Sequence, residues 1–305
     1  MSLLSLLIAL FAEKSLTPKV WRFNFYYQHY FDLFSKNFTA KQGVAASAVF
    51  IILPVVLIGL SMAFIDNDLI EFLLSTVILI VCFGCTTTRS SYKNYLHSAF
   101  QGEEVTADMY HQQLLSDKNL PEMGFGQALV WLNYRYYVAI MLFFILFGAA
   151  GAIFYRLLTT VIEHKTAQCI TSAYQDQVDV ATGSANEEDK NVEHEGNIAP
   201  NITNGCQNHH DVLFWLDWLP VRIASFGYMF VGHFSKAFPV WLESLFDIQK
   251  PTHLVLIDVA EKSEDIMLNE GDCTSEPCLL VNLAKRNVLL VLAVISILTL
   301  AGLIN

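Results

Sequence analysis

Two short runs hold the residues best suited to chemistry. The first is Trp131-Leu132-Asn133-Tyr134-Arg135-Tyr136-Tyr137. The second is Leu216-Asp217-Trp218-Leu219-Pro220-Val221-Arg222, followed by an apolar stretch to Gly232 and then His233-Phe234-Ser235-Lys236. On a helix Trp131 and Arg135 share a face, Asn133 and Tyr137 share another, and Trp218 and Arg222 repeat the four-residue step. Each guanidinium can then lie over an indole while its N–H fork faces an anion. An ionisable group beside apolar membrane segments is a functional candidate. The plainer alternative is a salt bridge from Asp217 to Arg135 or Arg222 that only holds helices together, and the sequence leaves both open. The candidate ligand-binding set is Trp131, Asn133, Arg135, Tyr137, Asp217, Trp218, Arg222, His233 and Lys236, with its four basic members facing a phosphate or carboxylate.

Other chemistries lack their motifs. There is no phosphate-binding glycine loop, dinucleotide fingerprint, H-E-x-x-H or G-x-S-x-G, so no cofactor and no catalytic residue is assigned. His209-His210-Asp211 lies beside a polar, acidic stretch without fixed partners, and no metal is assigned to it. Cys82 and Cys85 fall at the end of an apolar run, where a thiol packs as a small hydrophobe. Cys169, Cys206, Cys273 and Cys278 read as two disulfides in an oxidising compartment and as free thiols in the cytoplasm.

The elements that must position these residues are membrane helices. Of the 305 residues 54% are hydrophobic and only 15% charged, which is outside the soluble range. Gly43 to Ile65 is uncharged and, at about 1.5 Å per helical residue, covers a bilayer core of about 30 Å. Leu69 to Cys85, Tyr137 to Tyr155 and Val288 to Ile304 read as three more spans. Met1 to Ala12 is too short to cross and reads as a packed or half-buried helix. Phe23, Tyr26, Tyr30, Leu33 and Phe34, and again Tyr92, Tyr95, Leu96, Ala99 and Phe100, recur at helical spacing as amphipathic helices of the interface or of a small domain. Asp217 is placed as the cap of a helix with Pro220 in its first turn and Gly232 as its stop, about 21 Å long and so half-inserted.

The fold class is thus all-α, a polytopic bundle with interfacial helices and a half-inserted helix. Its segments are an N-terminal region (1–42), two spans (43–85), a loop with an amphipathic helix (86–136), a third span (137–162), an acidic flexible insertion (163–211), the half-inserted and amphipathic helices (212–246), an acidic loop (247–286) and a last span (287–305). Lys14, Lys19, Arg22, Lys36 and Lys41 before the first span, and Arg89, Lys93, Lys118 and Arg135 after the second, place the N-terminus and the 86–136 loop in the cytoplasm. Lys285 and Arg286 put the start of the last span there too, so the chain must return between Tyr155 and Lys285. The net charge of −11 is concentrated in two stretches: Glu163 to Asp211 has nine acids against two bases, and Asp247 to Arg286 has eight against four. No basic face exists for a nucleic-acid partner.

The runs Ala128 to Ala139, Leu216 to Arg222 and Gly232 to Trp241, with the apolar start ending in Glu13, resemble the AmpE family of bacterial inner-membrane proteins. The resemblance covers nearly the whole chain in order, apart from Gln175 to Asn208. It implies a multi-pass inner-membrane regulator of β-lactamase induction linked to cell-wall recycling, with the lipid bilayer and an anionic small molecule or a regulatory protein as partners. Oligomeric state stays open. The family is in turn similar to the CbiB/CobD membrane proteins of cobalamin biosynthesis, whose L-x-x-I-P-A-R-L segment is like Leu216 to Arg222 and whose Y-K-A-V-N-T is like Tyr155 to Thr160. Their acidic E-N-T-x-D-G run is replaced here by Trp131 to Tyr137, and their D-S-M-V-G-Y is not reproduced at Glu163 to Lys165. The likeness therefore implies a kept scaffold with lost or altered catalysis, the alternative being an ATP-dependent amide-forming enzyme.

Overall fold

The computed structural model describes residues 2–15, 21–37, 44–65, 67–84, 86–183, 204–264 and 274–303. These residues contain helices and no strand. In chain order the helices are α1 (Ser2–Ser15), α2 (Phe23–Asn37), α3 (Val44–Ala63), α4 (Asp68–Cys82), α5 (Thr86–Phe100), α6 (Glu104–Lys118), α7 (Phe125–Asn133), a π-turn (Tyr134–Val138), α8 (Ala139–Gly183), α9 (Asn204–Val231), α10 (Phe234–Phe246), α11 (Thr252–Ser263) and α12 (Ser275–Leu300).

Among the described residues two helical stretches, Phe125–Thr166 and Ser275–Leu300, are long and apolar enough to cross a bilayer, and α4 with α5 forms a bent pair that would make a third. The first of them is not straight. Gly148, with φ of 64°, breaks it, in a left-handed conformation that only glycine adopts without strain. Phe143 and Tyr155 would be about 18 Å apart along a continuous helix, yet their rings stack with centroids 4.8 Å apart. Tyr136 and Glu163, separated by about 40 Å on a straight helix, are hydrogen-bonded at 2.8 Å. The expected third span is therefore a helical hairpin with antiparallel arms. Gly151 lets the returning arm pass the Phe143 carbonyl, where a Cβ would collide. Leu146 and Phe147 stand exposed at the apolar tip. Arg156 and Lys165 accordingly return to the end of the hairpin that carries Arg135.

Around the hairpin, α12 buries Leu280, Leu283, Ala284, Asn287, Val291 and Ile295, a three- and four-residue repeat, and exposes Leu289, Val294 and Ile297. Asn287 donates from Nδ2 to the Ala224 carbonyl at 3.1 Å, a polar clasp between apolar helices. On α9, Trp215, Leu219, Ile223, Phe226 and Phe230 form an exposed apolar stripe, as α3 does with Ile52, Leu53, Val56, Leu57 and Leu60. Pro54 lies within α3, and Asn67 caps α4 by accepting from the Leu69 amide. The N-terminal run is a packed helix, with Leu6 and Ala9 fully buried and Phe11 facing out.

Three expectations need correction. Asp217 caps nothing: α9 begins at Asn204 and carries both Asp217 and Pro220 in its interior, so the helix has 28 residues rather than about 14. It does stop at Gly232, where a Cβ would strike the Ser263 carbonyl. The 247–286 stretch is no loop: α11 buries Val255, Leu256, Ile257, Val259 and Ala260, an apolar run whose acidic flanks mask it in a wide window. The acidic insertion is also narrower than 163–211, because α8 extends to Gly183 and α9 starts at Asn204. Residues 184–203, Cys85 and Cys273 lie outside the described residues, as do the side chains of Cys169, Cys206, His209 and His210.

Candidate functional site

The π-turn sets four consecutive side chains against three carboxylates. Tyr134 donates to Asp217 Oδ1 at 2.8 Å, and Tyr155 from the returning arm donates to the same oxygen at 2.9 Å. Arg135 lies 3.8 Å from Glu163 and within electrostatic reach of Asp217. Tyr136 donates to Glu163 Oε1 at 2.8 Å and accepts from Lys118 Nζ at 2.7 Å. Tyr137 donates to Glu13 Oε1 at 3.0 Å. A π-turn is a widened turn found often at functional sites, and here it lets neighbouring residues serve separate partners on α1, α8 and α9.

Glu163 is the hub. Lys118 Nζ lies 3.6 Å away, Asn119 donates to the Glu163 carbonyl at 3.0 Å, and Arg156 acts on its charge. Asn119 ends α6 in the left-handed region, with φ of 48°, which aims Lys118 and its own amide at the hairpin. Arg156 sits over the Tyr136 ring at 4.3 Å and the Phe23 ring at 5.3 Å. Asp217, Arg156 and Lys118 are all buried. Carboxylates and cations this deep persist only as a paired network.

The anticipated Trp–Arg pairs both form: Arg135 lies 5.2 Å from the Trp131 ring centroid and Arg222 lies 4.1 Å from that of Trp218. The structure brings Arg135 and Asp217 into one centre but sends Arg222 elsewhere. Its guanidinium donates to the carbonyls of Trp218, Ser244, Leu245 and Asp247, closing the C-terminal turn of α10. His233 and Lys236 are exposed at the other end of α10, where the His233 amide donates to Ser263. Among the described residues, Arg135 Nε, Asn133 Oδ1 and Trp218 Nε1 are buried without a hydrogen-bond partner, and such atoms require an explanation. His253 on α11 meets the Trp131 ring edge-on. Burial, and secondarily the Arg135 charge, hold its imidazole below the usual histidine range.

A second knot abuts the first. Glu13 receives both carboxylate contacts from Arg89, at 2.5 and 2.6 Å. Gly84, with φ of 75°, leaves the space this carboxylate fills, and its amide donates to the Tyr136 carbonyl at 3.3 Å.

The family model described as "Regulatory signalling modulator protein AmpE" matches residues 1–181 and 203–304. The chain belongs to the AmpE family. Protein AmpE of Shigella flexneri is 25% identical over 236 residues, covering 73% of this chain and 72% of that one. No solved structure matches. The interruption in the AmpE match at 182–202 falls inside the 163–211 stretch that the sequence marks as an acidic insertion. Read as an AmpE chain, the molecule is a helical membrane protein of a regulatory signalling family, with a charged centre at the end of its apolar hairpin opposite the Leu146–Phe147 tip.

Tyr134, Tyr136, Tyr155, Arg156, Lys118 and Glu163 were absent from the candidate set. Tyr134 and Tyr136 lie inside the run that was singled out. Glu163 reads in sequence as the first residue of an acidic loop, and only the reversal at Gly148 carries it back to Tyr136.

Proposed function

We propose that this protein is a multi-pass inner-membrane regulator of β-lactamase induction, coupled to cell-wall recycling, with its N-terminus in the cytoplasm. It senses an anionic ligand or a partner protein at the centre built from Arg135, Asp217, Glu163 and Lys118. The observation that carries this reading is the sharing of two carboxylates, the buried Asp217 and the half-buried Glu163, between both arms of the hairpin and α9, with Arg135 Nε and Asn133 Oδ1 left over among the described residues. An anion exchanged against either carboxylate changes which helices are tied together, and a two-state rearrangement of packed helices is what a regulator needs. The hairpin also supports the topology, because both its ends lie on the face that carries Lys118 and Arg135, the basic and hence cytoplasmic side. Trp131, Asn133 and Arg135 make up the ligand-facing part of the candidate set, whereas Arg222 organises α10.

The test is β-lactam-dependent β-lactamase induction in cells lacking their own AmpE protein. Expression of this chain should return the response to that of the parent cells. A response identical with and without the chain, at verified membrane abundance, overturns the proposal.

A further inference from the structure

Beside the charged centre is a cavity of about 150 Å³, about ten times the roughly 15 Å³ that a single water needs on the same measure. Its lining includes Glu13, Arg22, Gly84, Thr87, Lys118 and Arg156, three cations to one carboxylate. That carboxylate is already engaged, since Arg89 holds both its oxygens and Tyr137 donates to one of them. Its charge is therefore largely taken up by Arg89, and Glu163, outside the lining, is one acid shared by the two buried cations Lys118 and Arg156. Lys118 and Arg156 are nearly fully buried, at 8% and 5% exposure, and Arg156 is fixed over two ring faces. Arg22 is exposed at the mouth, just before α2.

We infer that this cavity is a binding site for a phosphate ester, seated between Arg22, Lys118 and Arg156. Two guanidinium groups and an ammonium lining one small, half-enclosed space match a tetrahedral oxyanion, which accepts several charge-assisted hydrogen bonds at once. The aromatic-rich α2 at the mouth suits the headgroup level of a bilayer, so the ester comes either from a lipid headgroup or from a soluble phosphomonoester. Lys118 also reaches Glu163, so an anion drawing the ammonium into the cavity loosens the Lys118–Glu163 pair at the centre. In this the inference rests on the regulatory reading above; the binding itself does not.

The experiment uses the full chain in nanodiscs, with thermal unfolding as the readout, because a ligand bound to the folded state raises Tm with its concentration. One arm titrates inorganic phosphate against chloride at equal ionic strength in phosphatidylcholine discs. The other raises the mole fraction of phosphatidylglycerol stepwise in phosphatidylcholine discs without inorganic phosphate. Arg22→Gln removes a cation at the exposed mouth and Thr87→Glu adds a carboxylate to the lining, so neither disturbs the buried pairs. A Tm rise in either arm that both substitutions weaken about tenfold in half-saturating concentration supports the site, and the responding arm identifies its source. No rise in either arm, or variants that respond like wild type, overturns it. Lost phosphate binding with unaltered β-lactamase induction in Arg22→Gln sustains the site and refutes its link to regulation.

Discussion

Arg135 over Trp131 and Arg222 over Trp218 are built alike, on the same four-residue step and with the same guanidinium-over-indole contact. Their surroundings differ. Arg222 spends its N–H groups on four main-chain carbonyls, all within α9 or the end of α10. Arg135 faces the side chains of Glu163 and Asp217, contributed by α8 and α9, and keeps a buried Nε without a partner among the described residues. Carbonyls cannot be titrated or exchanged, whereas carboxylates can be displaced by another anion. The first arrangement is a fastening, and the second is where the proposed function places its switch.

The sharpest way to break this contrast is Arg222→Ala. It strips the donor from one buried and three part-buried carbonyls and should cost about 3 kcal/mol, so membrane abundance and Tm should fall severely, with Arg222→Lys recovering only part because an ammonium lacks the planar fork. A mild phenotype would remove the fastening role. Next in size is Arg135→Gln. Glu163 keeps Lys118 and Tyr136, so stability should drop by only about 1–2 kcal/mol while induction is lost at matched abundance. Tyr155→Phe deletes one of two hydroxyls on Asp217 and should cost about 1 kcal/mol, measurable as a modest Tm decrease with the Phe143 stack preserved.

The smallest expected effect is on pH dependence. His253 is held below its ordinary range, so the folded state binds fewer protons than the unfolded chain near the unperturbed value of about 6.5. Its contribution to stability is complete above that pH and declines as the medium is acidified towards the folded-state value. His253→Asn should therefore flatten the acid side of the Tm profile, whereas an unchanged profile would place the histidine outside the network.

The same contrast marks how far the sequence could be read. Both Trp–Arg pairs, the aromatic helices α2 and α5, and the stop at Gly232 depend on residues within four or five positions, where helical periodicity suffices. The centre depends on partners far apart in sequence: Tyr137 with Glu13, Tyr134 with Asp217, Tyr136 with Glu163. Those follow from the hairpin, and hydropathy does not distinguish one crossing from two arms that double back. Gly148 and Gly151 within an apolar run were the available signal, since glycine costs a helix stability unless its conformation or closeness is used. Asp217 was placed at a helix start because its sequence context, with Pro220 after it, suits a cap. The structure gives that carboxylate two tyrosine hydroxyls instead.

Asp217→Asn tests the central claim most directly, because it removes the charge while leaving an oxygen in place for Tyr134 and Tyr155. With β-lactamase induction measured at membrane abundance equal to wild type, the account predicts an altered response from a folded protein. An induction response indistinguishable from wild type would contradict it and leave the buried centre as packing alone.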